Sequence, residues 1–109
     1  MSKRTATIAI STTTSGTVDL TPTRKAVGLY LPAALTGTSM TFLVSHDNST
    51  FVIAKAMDGA SSYSVTVGTN RYVPLDDRVM RGVRYIQLVS GSTETAARSI
   101  VIDTAYRIG

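Results

Sequence analysis

The 109-residue chain has no cysteine and no tryptophan, and it contains a single histidine and a single glutamate. Without cysteine it can form neither a disulfide framework nor a thiolate metal site, and nothing marks an oxidising compartment. No apolar run approaches the roughly 20 residues of a membrane-spanning helix. The apolar stretch 6–10, after Lys3 and Arg4, is interrupted by a threonine and is too short for a secretory signal. We therefore expect a protein that is made in a cytoplasm, is not secreted and has no membrane partner.

The net charge is +4 and the sequence pI is about 9.8, but the basic residues form no continuous block. Arginines three apart, at 78, 81 and 84, raise the question of a nucleic-acid-binding helix. Asp76 is a suitable N-cap and Gly82 a suitable stop, so only one helical turn, near 77–81, fits between them. A recognition helix needs greater length and a supporting second helix. We therefore expect nucleic acid not to be a partner.

The fold is predicted to be all-β. Serine and threonine make up about a quarter of the chain, and such residues favour strands and turns over helix interiors. Period-2 alternation recurs between turn signals such as "HDNST" (46–50) and "DGASS" (58–62). About eight short strands with this spacing predict an antiparallel β-sandwich or jelly roll. We expect a single domain over 17–109, preceded by an extended arm over 1–16.

Catalytic patterns are missing from the sequence. His46, the one possible imidazole base, lies in a polar turn, and no G-x-S-x-G nucleophile elbow is present. Asp76 and Asp77 are adjacent and do not face each other, so they do not form a carboxylate pair. Asp47, Asn48 and Asp58 carry side-chain oxygens that suit hard cations, but Asp and Asn are common in turns without any metal. We expect a non-enzymatic protein with no metal site and no cofactor.

Carbohydrate binding remains an alternative function. Jelly rolls often bind sugars on exposed aromatic surfaces, and Tyr30 and Tyr106 are candidates for outward-facing rings. The absence of tryptophan counts against this alternative, as does the tendency of strand tyrosines to be half-buried packing residues.

Surplus apolar residues are the most informative feature of the predicted strands. Three segments, 51–57, 83–90 and 98–106, carry apolar side chains on both faces, whereas a lone sandwich buries only one. In the second segment, Val83, Tyr85 and Val89 share the face opposite Ile86 and Leu88. The chain is too short to supply another layer, so the pattern predicts a homo-oligomer.

Arginine is enriched at protein interfaces because its planar fork pairs well with carboxylates. The residues predicted to contact a subunit or partner are Arg71, Arg78, Arg81, Arg84, Tyr85, Val89 and Val101. The N-terminal arm is predicted to pair along a neighbour's edge strand. Its candidate contact residues are Lys3, Arg4, Ile8 and Ile10.

The chain resembles small β-sandwich structural proteins encoded in the morphogenesis clusters of tailed bacteriophages. The residues that carry the resemblance are "LYLPAALTGTSMTFLVSHDNSTF" (29–51), "RYVPLD" (71–76), "GVRYIQLVSG" (82–91) and "ARSIVI" (97–102), within residues 26–103. The resemblance implies a virion component, such as a head decoration (cement) protein, a minor capsid protein, or a tail or neck part. It further implies a trimer that contacts the major capsid protein or another virion protein, and no catalytic residues. "RYIQL" is also similar to the late strands of discoidin-like sugar-binding jelly rolls.

Overall fold

A computed structural model describes residues 2–106 and confirms the all-β prediction. Nine strands and one helical turn follow each other along the chain. They are β1 (Ser2–Ile8), β2 (Val18–Asp19), β3 (Arg24–Tyr30), β4 (Ser39–Ser45), β5 (Val52–Ile53), β6 (Val65–Thr66), β7 (Tyr72–Pro74), α1 (Asp77–Met80), β8 (Tyr85–Ser90) and β9 (Arg98–Tyr106).

The strands form two antiparallel sheets in a sandwich-like arrangement. Sheet A has the order β1-β9-β3-β7, and sheet B has the order β2-β8-β4-β5, with β6 also paired to β4. All the strand pairs are antiparallel, and neighbours in the sheets are often far apart in sequence, as β1 and β9 are. Because of this long-range pairing, each sheet, and therefore each outer face, is built from several separate segments of the chain.

The alternation of side chains along the strands determines which residues form the core. Ile100 and Ile102 of β9 point inward from sheet A, while Phe42 of β4 and Leu88 of β8 point inward from sheet B. These four side chains are fully buried. Because successive strand residues point to opposite faces, the residues between them form the outer faces of the two sheets.

The predicted turns and helix cap are present. Asp47 accepts backbone N–H bonds from Ser49 and Thr50, and Asp58 does the same in the next turn. Asp76 caps α1 because its carboxylate accepts a hydrogen bond from the Arg78 N–H at 3.0 Å. This N–H, in the first turn, has no acceptor within the helix. The predicted helical turn is confirmed, and Met80 at its end is fully buried in the core, so we call α1 with Met80 the one-turn plug.

The N-terminal segment corrects the prediction of an arm over 1–16. β1 pairs with β9 along its whole length, and Ile8 is fully buried in the core. Ser15 is also buried, and its backbone N–H bonds the Leu88 carbonyl at 2.9 Å. The threonine-rich stretch after residue 10 is therefore a connection between the two sheets, and the sandwich begins at β1.

Glu94 is the only acidic side chain that is fully buried among the described residues. Its carboxylate accepts hydrogen bonds from the Thr36 and Gly37 backbone amides, from the Ser90 hydroxyl and from the Arg98 guanidinium, all at 2.7–2.9 Å. Burial pushes the pKa of this carboxyl upward, but the four donors outweigh it and hold the pKa at about 2. Glu94 thus ties the loop after β3 to the β8–β9 connection.

Candidate functional site

The outer face of sheet B carries a set of partly exposed apolar side chains. Leu43 lies in the central strand β4, directly opposite Ile53 of β5, and Tyr85 and Val89 of β8 lie diagonally across from it. We call these four residues the sheet B surface. Leu43, Tyr85 and Val89 are half-buried, and Ile53 is 48% exposed. The polar neighbour Gln87 is held by a hydrogen bond to the Thr17 hydroxyl at 3.0 Å.

The β5 edge of sheet B also carries apolar side chains on the opposite face, because Val52 pairs with Val44 and alternates with Ile53. β5 is only two residues long, and its Val52 is 59% exposed. Beside it lies a groove of about 320 Å³ that is lined by Val44, Val52 and Val83 together with His46 and Thr50. A short edge strand with exposed β-branched residues can accept another strand or a complementary apolar side chain.

The predicted surplus of apolar residues is smaller than the sequence indicated. Val83 was placed with Tyr85 and Val89 by alternation, but it precedes β8 and is buried in the core. The accessible surface of 5665 Å² is close to the ~5,800 Å² typical of a folded monomer of this mass. One copy therefore covers its own core, and an assembly would bury only the outer faces.

Three of the four predicted interface arginines already have partners within the chain. Arg78 forms an ion pair with Asp76, and Arg81 forms one with Asp77 at 3.0 Å. Both arginine side chains are well exposed. The Arg78 hydrogen bonds lower the pKa of Asp76, while Lys25, followed by Arg81, lowers the pKa of Asp77.

Arg84 pairs with Asp19 of β2 at 3.2 Å, next to Tyr85. Its guanidinium carbon also lies 4.9 Å from the centroid of the Tyr85 ring. Arg71 is exposed and packs over Gly68. Exposed ion pairs contribute only about 0–1 kcal/mol, so these arginines can exchange their partners at low cost.

The remaining predicted interface residues are divided between the two sheets. Val101 lies on the outer face of sheet A, between Thr5 of β1 and Tyr30 of β3, whereas Tyr85 and Val89 belong to sheet B. The structure therefore does not bring Val101 to the sheet B surface. Leu43, which does lie there, was not predicted, because one apolar residue between Phe42 and Val44 does not indicate a second apolar face.

The four residues predicted for the N-terminal arm do not act as one unit. Ile8 faces the core, and Arg4 donates to the Asp19 carbonyl at 3.3 Å across the sandwich. Lys3 is on the outer face of sheet A, and Ile10, after the end of β1, is 60% exposed. Lys3 and Ile10 are exposed, as expected of arm residues, but Lys3 is held in β1 opposite Asp103.

The tyrosines considered for sugar binding lie on opposite sides of sheet A. Tyr30 is 44% exposed on the outer face of sheet A, where it is paired directly with Val101 of β9. Tyr106 alternates with Ala105 and so lies on the other side, where its exposed ring stacks with the Arg24 guanidinium at 4.2 Å.

Within residues 2–106, no three His, Cys, Asp or Glu side chains are grouped as metal ligands. The one helix in this range, α1, is far too short to cross a membrane. The aspartates considered as ligands, Asp47 and Asp58, have pKa values of about 2 because backbone N–H groups of their own turns bond them.

No protein-family model and no curated protein matches the chain. Among solved structures, the fold is similar to the SPBc2 prophage-derived protein YomS, with a TM-score of 0.49 and 16% identity over 94% of this chain and 96% of that chain. It is also similar to the Drosophila NLP-core, whose structure concerns pentamer formation and histone binding, with a TM-score of 0.46 and 12% identity over 96% of this chain and 99% of that chain.

Proposed function

We propose that the protein is a non-enzymatic structural subunit that forms a homo-oligomer through the outer face of sheet B. The observation that carries the proposal is the sheet B surface, where Leu43, Ile53, Tyr85 and Val89 are adjacent on one face instead of scattered. Single exposed apolar residues are normal in proteins, but a continuous group beside an apolar edge marks an interaction surface.

The surroundings of this surface match the usual anatomy of an interface. The surface includes an aromatic residue and has the Arg84–Asp19 pair at its border, and Gln87, opposite Leu43, is the polar residue between Tyr85 and Val89. When two copies meet, Arg84 can turn from Asp19 to a carboxylate of the neighbour. A standard interface of ~800 Å² per partner would cover the whole surface and the β5 edge.

We further propose that the oligomer is a virion component, most simply a head decoration protein that bridges neighbouring coat subunits. The support is the sequence resemblance to phage structural proteins, together with the surface described above. In this role each subunit contributes weak adhesive contacts, and a closed trimer multiplies them by binding several coat subunits at once. A tail or neck position is the alternative within the same particle.

Sedimentation velocity across a concentration series tests the assembly. We expect the wild-type chain to sediment as a closed oligomer, and a Leu43→Glu variant to sediment as a monomer because it places a charge at the centre of the sheet B surface. Thr7→Glu is the matched control, since Thr7 is exposed on the outer face of sheet A. A wild-type monomer at all concentrations, or equal loss of assembly in both variants, contradicts the proposal.

Electron microscopy of particles assembled with and without the chain tests the virion role. We expect extra density on the outer surface of the head, between coat subunits, only when the chain is present. Extra density at the neck or tail instead would contradict the decoration role and support the neck or tail position. Particles that are identical in both preparations would contradict a virion role while leaving the assembly result intact.

A further inference from the structure

The outer face of sheet A holds a second group of aromatic and charged residues, separate from the sheet B surface. Tyr30 of β3 and Tyr72 of β7 are directly paired, with ring centroids 4.7 Å apart and planes inclined by 53°. Both rings are 44% exposed. Two exposed, tilted rings at the side of a sheet form an apolar platform in contact with water.

Gly28 allows the platform to lie close to the sheet. A Cβ atom at this position would overlap the Tyr72 ring and hydroxyl, so the phenol lies across the glycine backbone. Gly28 pairs with Asp103 of the neighbouring strand β9, and the Tyr72 hydroxyl therefore lies near that carboxylate. Burial, and then the negative charge of Asp103, raise the pKa of Tyr72, in agreement with this arrangement.

Asp103 is the unusual member of the group. Only 7% of the residue's surface is exposed, but its carboxylate oxygens stay in contact with solvent and make no hydrogen bond or ion pair with a described side chain. Glu94, in contrast, is fully buried and its carboxylate is held by hydrogen bonds from within the chain, so only the Asp103 carboxylate is open to a ligand. Lys3 is directly opposite Asp103 on β1, but its ammonium group lies over the Tyr30 ring, 5.6 Å from the centroid.

The geometry points to a saccharide-binding site formed by Tyr30, Tyr72, Asp103 and Lys3. A sugar ring has an apolar C–H face that can stack on the two tyrosines, and hydroxyl groups that can donate to the Asp103 carboxylate. The same hydroxyls can accept from Lys3. Simple ions fit less well, because Asp103 repels anions and Lys3 repels cations. A neutral saccharide satisfies both charged groups at once.

An immobilised array of neutral and sialylated oligosaccharides provides the first test, followed by titration of the strongest neutral probe. Because the chain has five tyrosines and no tryptophan, tyrosine fluorescence reports binding without interference from indole. We expect neutral probes to bind, and Asp103→Asn and Tyr72→Ala each to weaken binding by about tenfold, the effect of losing one hydrogen bond to a charged group or one stacking contact.

Tyr106→Ala is the matched control, since Tyr106 is exposed on the other side of β9 and should leave affinity within about twofold of wild type. Circular dichroism checks that each variant is folded, and Tyr72→Phe, which keeps the ring, should retain more affinity than Tyr72→Ala. Absence of binding to every neutral probe would overturn the proposal, as would unchanged affinity in Asp103→Asn. A preference for sialylated probes, or for tetramethylammonium in a parallel titration, would overturn the ligand class. All of these outcomes leave the assembly proposal intact.

Discussion

Replacement of Glu94 by glutamine should remove a large part of the stability of the sandwich. The wild-type carboxylate accepts four hydrogen bonds in a fully buried position, and two of its donors are backbone amides. An amide side chain offers only one acceptor oxygen, and it brings an NH₂ group toward the donors. Arg98 would also lose its only ion-pair partner among the described residues.

The magnitude follows from the pKa of the carboxyl. Folding lowers it from its ordinary value of 4.5 to about 2, and each unit corresponds to about 1.4 kcal/mol, so the ionised form contributes about 3 kcal/mol. Because the folded-state pKa is depressed, this contribution is complete above the unfolded-state pKa. It is lost as the pH falls from about 5 toward 2. Glu94→Gln should therefore lose about 3 kcal/mol at neutral pH and little further through that window.

Urea unfolding at pH 7, 5 and 3 measures the effect, with Asp58→Asn as a carboxylate-to-amide control in an exposed turn. The free energy of unfolding of the wild-type chain should fall more steeply between pH 5 and pH 3 than that of Glu94→Gln. Other aspartates contribute to the acid sensitivity of both proteins equally, so the difference isolates Glu94. Parallel pH profiles for the two proteins, or a stability loss at pH 7 no larger than that of Asp58→Asn, would refute this reasoning.

Two further substitutions test the one-turn plug and its cap. Met80→Ala should cost about 2–5 kcal/mol because it leaves a cavity at the end of the core, whereas Met57→Ala, at a side chain 60% exposed, should cost little; thermal unfolding compares them, and equal losses would contradict the plug. Asp76→Ala should cost about 1 kcal/mol through loss of the helix cap, and urea unfolding should show that Asp76→Ser restores most of it.

Local signals in the sequence predicted local structure well. The aspartates of "HDNST" and "DGASS" bond backbone amides two or three residues away, and Asp76 caps the turn that follows it. These effects depend on neighbours within a few residues, and period-2 alternation similarly depends on strand geometry alone. The sequence therefore indicated the sandwich and most of its inward-facing residues.

Features that depend on long-range pairing were not predictable in the same way. β1 was assigned to an arm because its partner β9 lies at the opposite end of the sequence. Glu94 accepts backbone hydrogen bonds from Thr36 and Gly37, which are separated from it by 58 and 57 positions along the chain. The Tyr30–Tyr72 platform likewise joins two strands through a register that no local pattern specifies. Val83 was misplaced because alternation was extended past the beginning of β8.

Burial of the sheet B surface between copies can be measured directly, because the chain has no cysteine and accepts single reporter thiols. Ile53→Cys places a thiol on that surface, and Thr7→Cys places one on the outer face of sheet A. As protein concentration rises from about 1 μM to about 100 μM, maleimide labelling of Ile53→Cys should slow while that of Thr7→Cys stays constant. Equal and concentration-independent labelling at both positions would contradict assembly through sheet B.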